Sequence, residues 1–316
     1  MENKKIKDLV LDDTVTSFFA VRKKEVREYT RGQYVSLELG DCTGRIAAVI
    51  WEPDHFCLTE LAEGMVIKAR GVVGEYNNKR QLTINRVRLA QEGEYVIEDI
   101  LPHSAEPVEQ RRTRILSLTE KIENSYIKRL VESFWDDEKF FNDFLKAPAG
   151  KLWHHAYVGG LSEHSANVAE LALRVSCGYD FLNQDYLIFG GLLHDAGKIK
   201  QFATTTMIDY TDEGRLVGHI SIADTWVCKR AAKIETFPES LLTKLRHIIL
   251  SHQGTHEYAS PILPQTPEAF VVFYCDEIDA KLGAINRIRE RHGGKGWSDY
   301  VKLLERYLYF GEEQEE

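Results

Sequence analysis

The hydrophobic periodicity of this chain changes once, near residue 100, and that change governs what the chain can fold into. From Thr14 to Val96 apolar side chains recur mainly every second residue, the pattern of strands with one face on a core. From Ile115 onward the spacing is three and four, as in Ile115, Leu118 and Ile122, then Ile127, Leu130, Val131 and Phe134, the pattern of amphipathic helices. A segment written with one period cannot bury its apolar face in the other geometry. The sequence therefore predicts two domains, an all-β one over 1–98 and an all-α one, or nearly so, over 111–316. Between them, Pro102, Ser104 and Pro107 interrupt both patterns and mark 99–110 as a linker. A length of 316 residues suits two such cores.

In the first half, Tyr34-Val35-Ser36-Leu37-Glu38-Leu39 alternates, Gly40-Asp41-Cys42-Thr43-Gly44 turns, and Arg45 to Trp51 resumes as a strand. A helical interlude from His55 to Ala62 precedes a strand over Met65 to Val73, a turn at Asn77-Asn78, and a last strand over Gln81 to Leu89. Five strands with a helix between the third and fourth is the order of a small OB barrel. On Tyr34 to Leu39, Asp41 to Ile46 and Val49-Ile50-Trp51, the segment resembles nucleic-acid-binding OB domains of the tRNA-anticodon type. Such domains hold single strands with a basic groove and aromatic platforms, each stacked base contributing roughly 1 to 3 kcal/mol. Arg22, Lys23, Lys24, Tyr29, Tyr34, Trp51, Tyr76, Lys79 and Arg80 are the candidates for that surface; the competing assignment puts the aromatics in the core and the charges on a solvated face.

A net charge of -9 is unevenly placed: 15 Lys+Arg stand against 16 Asp+Glu in residues 1–98, and 25 against 33 in the remainder. Bulk charge thus neither supports nor excludes a polyanionic substrate. Five scattered cysteines without a Cys-x-x-Cys pair fit free thiols in a reducing cytoplasm. No run approaches the length of a membrane helix, and the first eleven residues lack a signal-peptide pattern. The expectation is a cytoplasmic protein with no membrane association; a homo-oligomer is left open.

The helical half carries six ligand-type residues, His164, His194, Asp195, His219, His252 and Asp276, at or near predicted helix ends. His164 opens the amphipathic stretch Ser165 to Val175, and His194-Asp195 ends the apolar helix containing Gly190-Gly191-Leu192-Leu193. Each polar side chain would cost on the order of 1 to 3 kcal/mol if buried unpaired. A shared metal site removes that cost for all of them. An adjacent His-Asp pair can place its imidazole on one ion while its carboxylate bridges to a second, and four histidines with two aspartates suffice for two ions about 3.5 to 4 Å apart. Imidazole-rich ligation favours manganese, with iron, cobalt and nickel as alternatives, over magnesium.

His164, the doublet His194-Asp195 and Asp276 resemble the signature of the HD-domain phosphohydrolase superfamily. Gly191-Leu192-Leu193-His194-Asp195-Ala196-Gly197-Lys198 is close to the central motif of that superfamily, and Asp276-Glu277-Ile278-Asp279-Ala280 looks like its closing one. His219 and His252 resemble the additions of its binuclear branch. Asp279, nearly one helical turn after Asp276, is placed to orient a ligand. Lys198, three residues after Asp195, is a candidate catalytic and phosphate-binding residue; its competing role is a helix C-terminal lysine facing the dipole. The run from Lys151 through His154 and His155 to Gly160 reads as a loop touching substrate. His103, His247, His256 and His292 are assigned to surface or structural roles.

An OB domain ahead of this set, with the run from Lys151 to His164, resembles the YhaM family of bacterial 3'-to-5' exoribonucleases over nearly the whole chain. That resemblance implies a manganese-activated enzyme that holds single-stranded RNA, or DNA, and releases nucleoside 5'-monophosphates. Two competing readings stand beside it: a phosphohydrolase of small nucleotides with a regulatory OB domain, and a nucleic-acid-binding protein with a vestigial metal site.

Overall fold

In a computed structural model of the chain, residues 4–30, 32–91, 93–151 and 153–312 are described; Leu152 of the run ahead of His164, and the acidic residues after Glu312, lie outside them. The chain divides into two compact units. One runs to Ala105 and takes in Ala203–Asp209; the other holds Glu106–Phe202 and the chain from Tyr210 onward.

In the first unit, strands β1 (Thr14–Tyr29), β2 (Gly32–Asp41), β3 (Gly44–Ile50), β4 (Val66–Tyr76) and β5 (Lys79–Leu89) close into a barrel of order β1-β2-β3-β5-β4. All neighbours are antiparallel except β3 and β5. The period-two residues fill the interior, among them Val15, Phe19, Val35, Leu37, Leu39, Ile46, Ile67, Val73 and Leu82. The interlude between β3 and β4 forms the short helical segment Phe56–Glu60, whose Cys57 and following Leu61 join the core. Asp41 secures the β2–β3 turn by accepting from the backbone N–H groups of Thr43 and Gly44 while also holding that of Ile6. Asn77 and Asn78 both take left-handed backbone angles, φ 50° and 59°, as the tightest hairpin turn requires.

The second unit is built from α1 (Val108–Glu120), α2 (Ser125–Trp135), α3 (Glu138–Lys146), α4 (Gly160–Ser176), α5 (Gln184–Leu193), α6 (Lys198–Gln201), α7 (Asp212–Leu216), α8 (His219–Ala231), α9 (Glu239–Ser251) and α10 (Pro267–His292). A two-stranded hairpin, β6 (Phe202–Thr204) and β7 (Ile208–Tyr210), interrupts the helices after α6. Helix α1 opens inside the stretch read as linker, because Pro107 is tolerated at a helix start. Helix α4 opens at Gly160, so His164 lies in its second turn rather than at its beginning.

Helix α5 organises this unit. Leu187, Ile188, Phe189, Leu192 and Leu193 are all fully buried, so the helix is apolar around its whole circumference and is enclosed by others. Gly190 and Gly191 let those helices come close. A Cβ on Gly191 would lie 2.4 Å from Ala169 Cα of α4, and one on Gly190 would lie 2.7 Å from Ile248 of α9 and Val272 of α10. The two glycines therefore draw α4, α9 and α10 together immediately ahead of His194-Asp195. Among the described residues, no helix is long and apolar enough to cross a membrane.

Candidate metal centre

The end of α5 points its polar residues into the space that this packing creates. His194 follows the last turn of α5 and Asp195 comes next. Four other elements supply the remaining residues: α4 brings His164, the first turn of α8 brings His219, the C-terminus of α9 brings His252, and α10 brings Asp276. His164, His194, Asp195 and His252 are at most 1% exposed and Asp276 is 9% exposed. The donor atoms fall into two groups compatible with a cation each, His164, His194 and Asp276 in one, Asp195, His219 and His252 in the other.

Asp195 joins the groups. Its Oδ2 lies 3.5 Å from His164 Nε2 and 3.4 Å from His194 Nε2, while its Oδ1 lies 3.3 Å from His219 Nε2 and 3.5 Å from His252 Nε2. Asp276 Oδ1 completes the first group at 3.1 Å from His164 Nε2 and 3.9 Å from His194 Nε2. One carboxylate thus presents an oxygen to each set of imidazoles.

The imidazoles are oriented through their other nitrogens. His164 Nδ1–H donates to Asp279 Oδ2 at 2.7 Å, His194 Nδ1–H to the carbonyls of Gly190 and Gly191 at 3.1 Å each, and His252 Nδ1–H to that of Ile249 at 2.7 Å. With the proton fixed on Nδ1, each Nε2 turns a lone pair inward. Once His164 gives up its second proton, the inner atoms are acceptors facing acceptors. Asp195 Oδ1 and His219 Nε2 lack hydrogen-bond partners among the described residues although buried, a condition costing about 1 to 3 kcal/mol per group. A converging set of imidazole and carboxylate donor atoms of this kind is what divalent cations fit.

Electrostatics follow from burial and these contacts. Burial pushes His219 down to about 3. For His164 burial also acts downward, but the carboxylates of Asp276 and Asp279 outweigh it and raise the ring to about 10. Asp195 is held well below the usual carboxylate range: Lys198 and His194 overcome the opposing effect of burial. His164 does the same for Asp276, and His155 and His164 for Asp279.

Lys198 is the first residue of the single-turn α6, and its buried ammonium lies 2.5 Å from Asp195 Oδ2. His154 and His155 adjoin in sequence yet diverge, since His155 takes a positive φ of 43°. His155 Nε2 meets Asp279 Oδ2 at 2.8 Å and its Nδ1 meets the Tyr157 hydroxyl at 2.7 Å. Through that contact His155 holds Asp279, which in turn holds His164. His154 packs its ring 5.2 Å from that of His164, and its buried Nδ1 has no hydrogen-bond partner among the described residues. Burial, reinforced by Lys198, keeps it neutral. Lys151 lies 6.0 Å from the Tyr210 ring centroid. Asn167, which donates to Asp279 Oδ1 at 3.0 Å, escaped the sequence reading; its position one turn after His164 was the available signal. His247 accepts from the Gln265 N–H at 2.9 Å, a structural role.

On the barrel, Tyr29, Tyr34 and Trp51 form one cluster, with ring centroids 5.0 to 5.8 Å apart, and Trp51 is 46% exposed. Tyr76 and Lys79 are exposed beside the β4–β5 turn. The other cations proposed for a nucleic-acid surface are largely engaged. Arg22 donates to the carbonyls of Ile100 and Thr206 within the same unit, Lys24 to those of Leu58 and Leu61, and Arg80 to that of Leu9. Lys23 is exposed and pairs with Glu25 at 2.5 Å. The Arg22 guanidinium thereby braces this unit.

Comparison with known proteins agrees with both units. Residues 161–281 match the family model of the HD domain, and residues 19–90 that of the OB-fold nucleic acid binding domain. The chain is 31% identical over 300 residues to the 3'-5' exoribonuclease YhaM of Bacillus velezensis, covering 94% of this chain and 95% of that relative. It is 32% identical over 278 residues to the YhaM of Bacillus subtilis, covering 88% of each. Identity at this level along nearly the full length of both partners, on top of the buried His and Asp set, places the chain in the YhaM family of 3'-5' exoribonucleases.

Proposed function

We propose that this chain is a divalent-metal-dependent enzyme that removes nucleotides from the 3' end of single-stranded RNA and releases nucleoside 5'-monophosphates. The observation that carries the metal dependence is Asp195, whose two oxygens face two separate groups of imidazole lone pairs. His164, His194 and Asp276 would hold one cation and His219 with His252 the other, Asp195 serving both. Manganese suits the imidazole-rich donor set, with iron, cobalt and nickel of similar preference. Bound there, such ions supply an activated water and neutralise charge on the phosphoryl oxygens.

The remaining chemistry belongs to the protein. Lys198, buried beside Asp195, is the cation available to a non-bridging phosphate oxygen as negative charge develops. His154, kept neutral by burial, offers a hydrogen-bonding nitrogen beside His164. Asp279 and His155 hold the His164 ring in the tautomer that ligation needs. The preference for RNA is supported by the relatives' activity, and a single-stranded substrate by the OB unit with its exposed Trp51.

The test is digestion of a 5'-labelled single-stranded RNA by purified protein with manganese. One-nucleotide shortening with nucleoside 5'-monophosphate products is expected, together with abolition by chelator and by Asp195→Ala. An Asp195→Ala protein that degrades RNA at the normal rate would falsify the site. Faster turnover of cyclic dinucleotides or nucleoside triphosphates than of RNA would instead favour a small-nucleotide phosphohydrolase.

A further inference from the structure

The barrel carries a second cationic surface, on strands β4 and β5. Lys68 and Arg70 of β4 stand opposite Arg88 and Arg86 of β5. Together with Asn85 and Thr16 they line a groove of about 540 Å³. The registers of β1, β4 and β5 arrange these residues in two rows, Thr16–Arg70–Arg86 and Phe18–Lys68–Arg88. Partners directly opposite each other on antiparallel strands, such as Arg70 and Arg86, have Cβ atoms about 4.5 to 5.5 Å apart, so their long side chains can reach neighbouring phosphates of one strand.

Like charges directly opposite each other on antiparallel strands are destabilising. The row Phe18–Lys68–Arg88 relieves this internally. Arg88 makes a two-pronged contact with Glu94 at 2.6 and 2.7 Å, and Lys68 lies 5.0 Å from the Phe18 ring centroid. The row Thr16–Arg70–Arg86 does not. Arg70 and Arg86 are exposed and neither has a carboxylate within ion-pair distance among the described residues. Nor do the charges protect a sheet edge, since β4 and β5 are paired on both sides in a closed barrel. Glu52 and Asp54 line another part of the groove, and Asp54 is engaged in accepting the Cys57 N–H at 2.8 Å.

An unrelieved arginine pair across two central strands calls for an anion from outside. We infer that the groove between β4 and β5 is a phosphate track: Arg70 and Arg86 bind consecutive phosphodiesters of a single strand, and Thr16 and Asn85 add neutral hydrogen bonds. This inference rests on the proposed function and adds a basic track to the aromatic cluster of Tyr29, Tyr34 and Trp51.

The full-length protein tests it, by fluorescence anisotropy of a labelled 16-nucleotide RNA at several salt concentrations without divalent metal, followed by RNA digestion with manganese. Each phosphate contact to a single strand contributes about 0.7 to the slope of log affinity against log salt. The double variant Arg70→Gln/Arg86→Gln should therefore lower that slope by about 1.4 and weaken binding about 25-fold at 0.1 M salt. In digestion its KM should rise far more than kcat falls. Arg70→Lys/Arg86→Lys should retain most of the slope, because the track reads charge. Thermal unfolding of the Gln variant at a temperature equal to or above the wild type's shows that the loss is not unfolding. Unchanged affinity and slope in the Gln variant, with a wild type that binds and digests RNA, would overturn the phosphate track alone. A wild type that neither binds nor shortens RNA would overturn the proposed function and the track with it.

Discussion

Replacing Asp279 by Asn preserves shape and separates orientation of a ligand from ligation itself. Asp279 Oδ2 accepts from His164 Nδ1 at 2.7 Å and His155 Nε2 at 2.8 Å, and Oδ1 accepts from Asn167 Nδ2 at 3.0 Å. An amide has one acceptor atom for these three donors. If its oxygen takes the Oδ2 position, its NH2 group opposes that of Asn167. If the oxygen turns to Asn167, the NH2 group faces both imidazoles; His164 must then accept at Nδ1 and carry its proton on Nε2, which removes the ligand lone pair. Either orientation loses a buried hydrogen bond and the negative charge behind His164. Losses of this kind typically cost 10- to 100-fold in metal affinity, about 1.4 to 2.7 kcal/mol. Manganese titration of RNA digestion should show the half-saturating concentration raised by that factor, with most of the rate restored at excess metal. Calorimetric titration of metal-stripped protein should give the same ratio. An unchanged half-saturating concentration in Asp279→Asn would refute the orienting role, and failure of excess manganese to restore any rate would make Asp279 indispensable in some other way.

Three further outcomes follow from the same geometry. Gly191→Ala, whose Cβ would lie 2.4 Å from Ala169 Cα, should force α4 from α5, lower stability by about 1 to 3 kcal/mol in thermal or denaturant unfolding, and weaken metal binding by separating His164 from His194. Metal uptake should depend on pH. His164, raised to about 10 in the metal-free protein, must release a proton when its Nε2 is ligated, so manganese affinity should rise up to tenfold per pH unit from 7 to 9, and a flat profile in calorimetry would contradict this. Trp51→Ala, removing the exposed ring of the aromatic cluster, should weaken single-strand binding by about 1 to 3 kcal/mol in the anisotropy assay, without altering the half-saturating manganese concentration.

Much of the site is legible in the sequence because ligand chemistry is local. A His-Asp doublet at the end of an apolar helix, and an Asp within another, cannot be buried cheaply except around a common charge. Less legible is which residue serves which purpose. His154 and His155 are neighbours of the same type, and only the backbone turn at His155 sends one to Asp279 and leaves the other beside His164. Lys198 reads equally as a helix-ending lysine until its ammonium is seen beside Asp195 Oδ2. Arg22 reads as a free cation until the carbonyls of Ile100 and Thr206, 78 and 184 residues away, take its guanidinium.

The sequence by itself determined the change of period, and with it a barrel followed by a helical unit, since alternation and three-and-four spacing each suit one backbone geometry. It also determined the six ligand-type residues. The division of those six into two groups sharing Asp195 was decided by tertiary structure. So was the opposition of Arg70 and Arg86, because both depend on which distant segments pack together. Two glycines in α5 and the strand register of a closed barrel set those distances, and neither is written in the spacing of the residues they bring face to face.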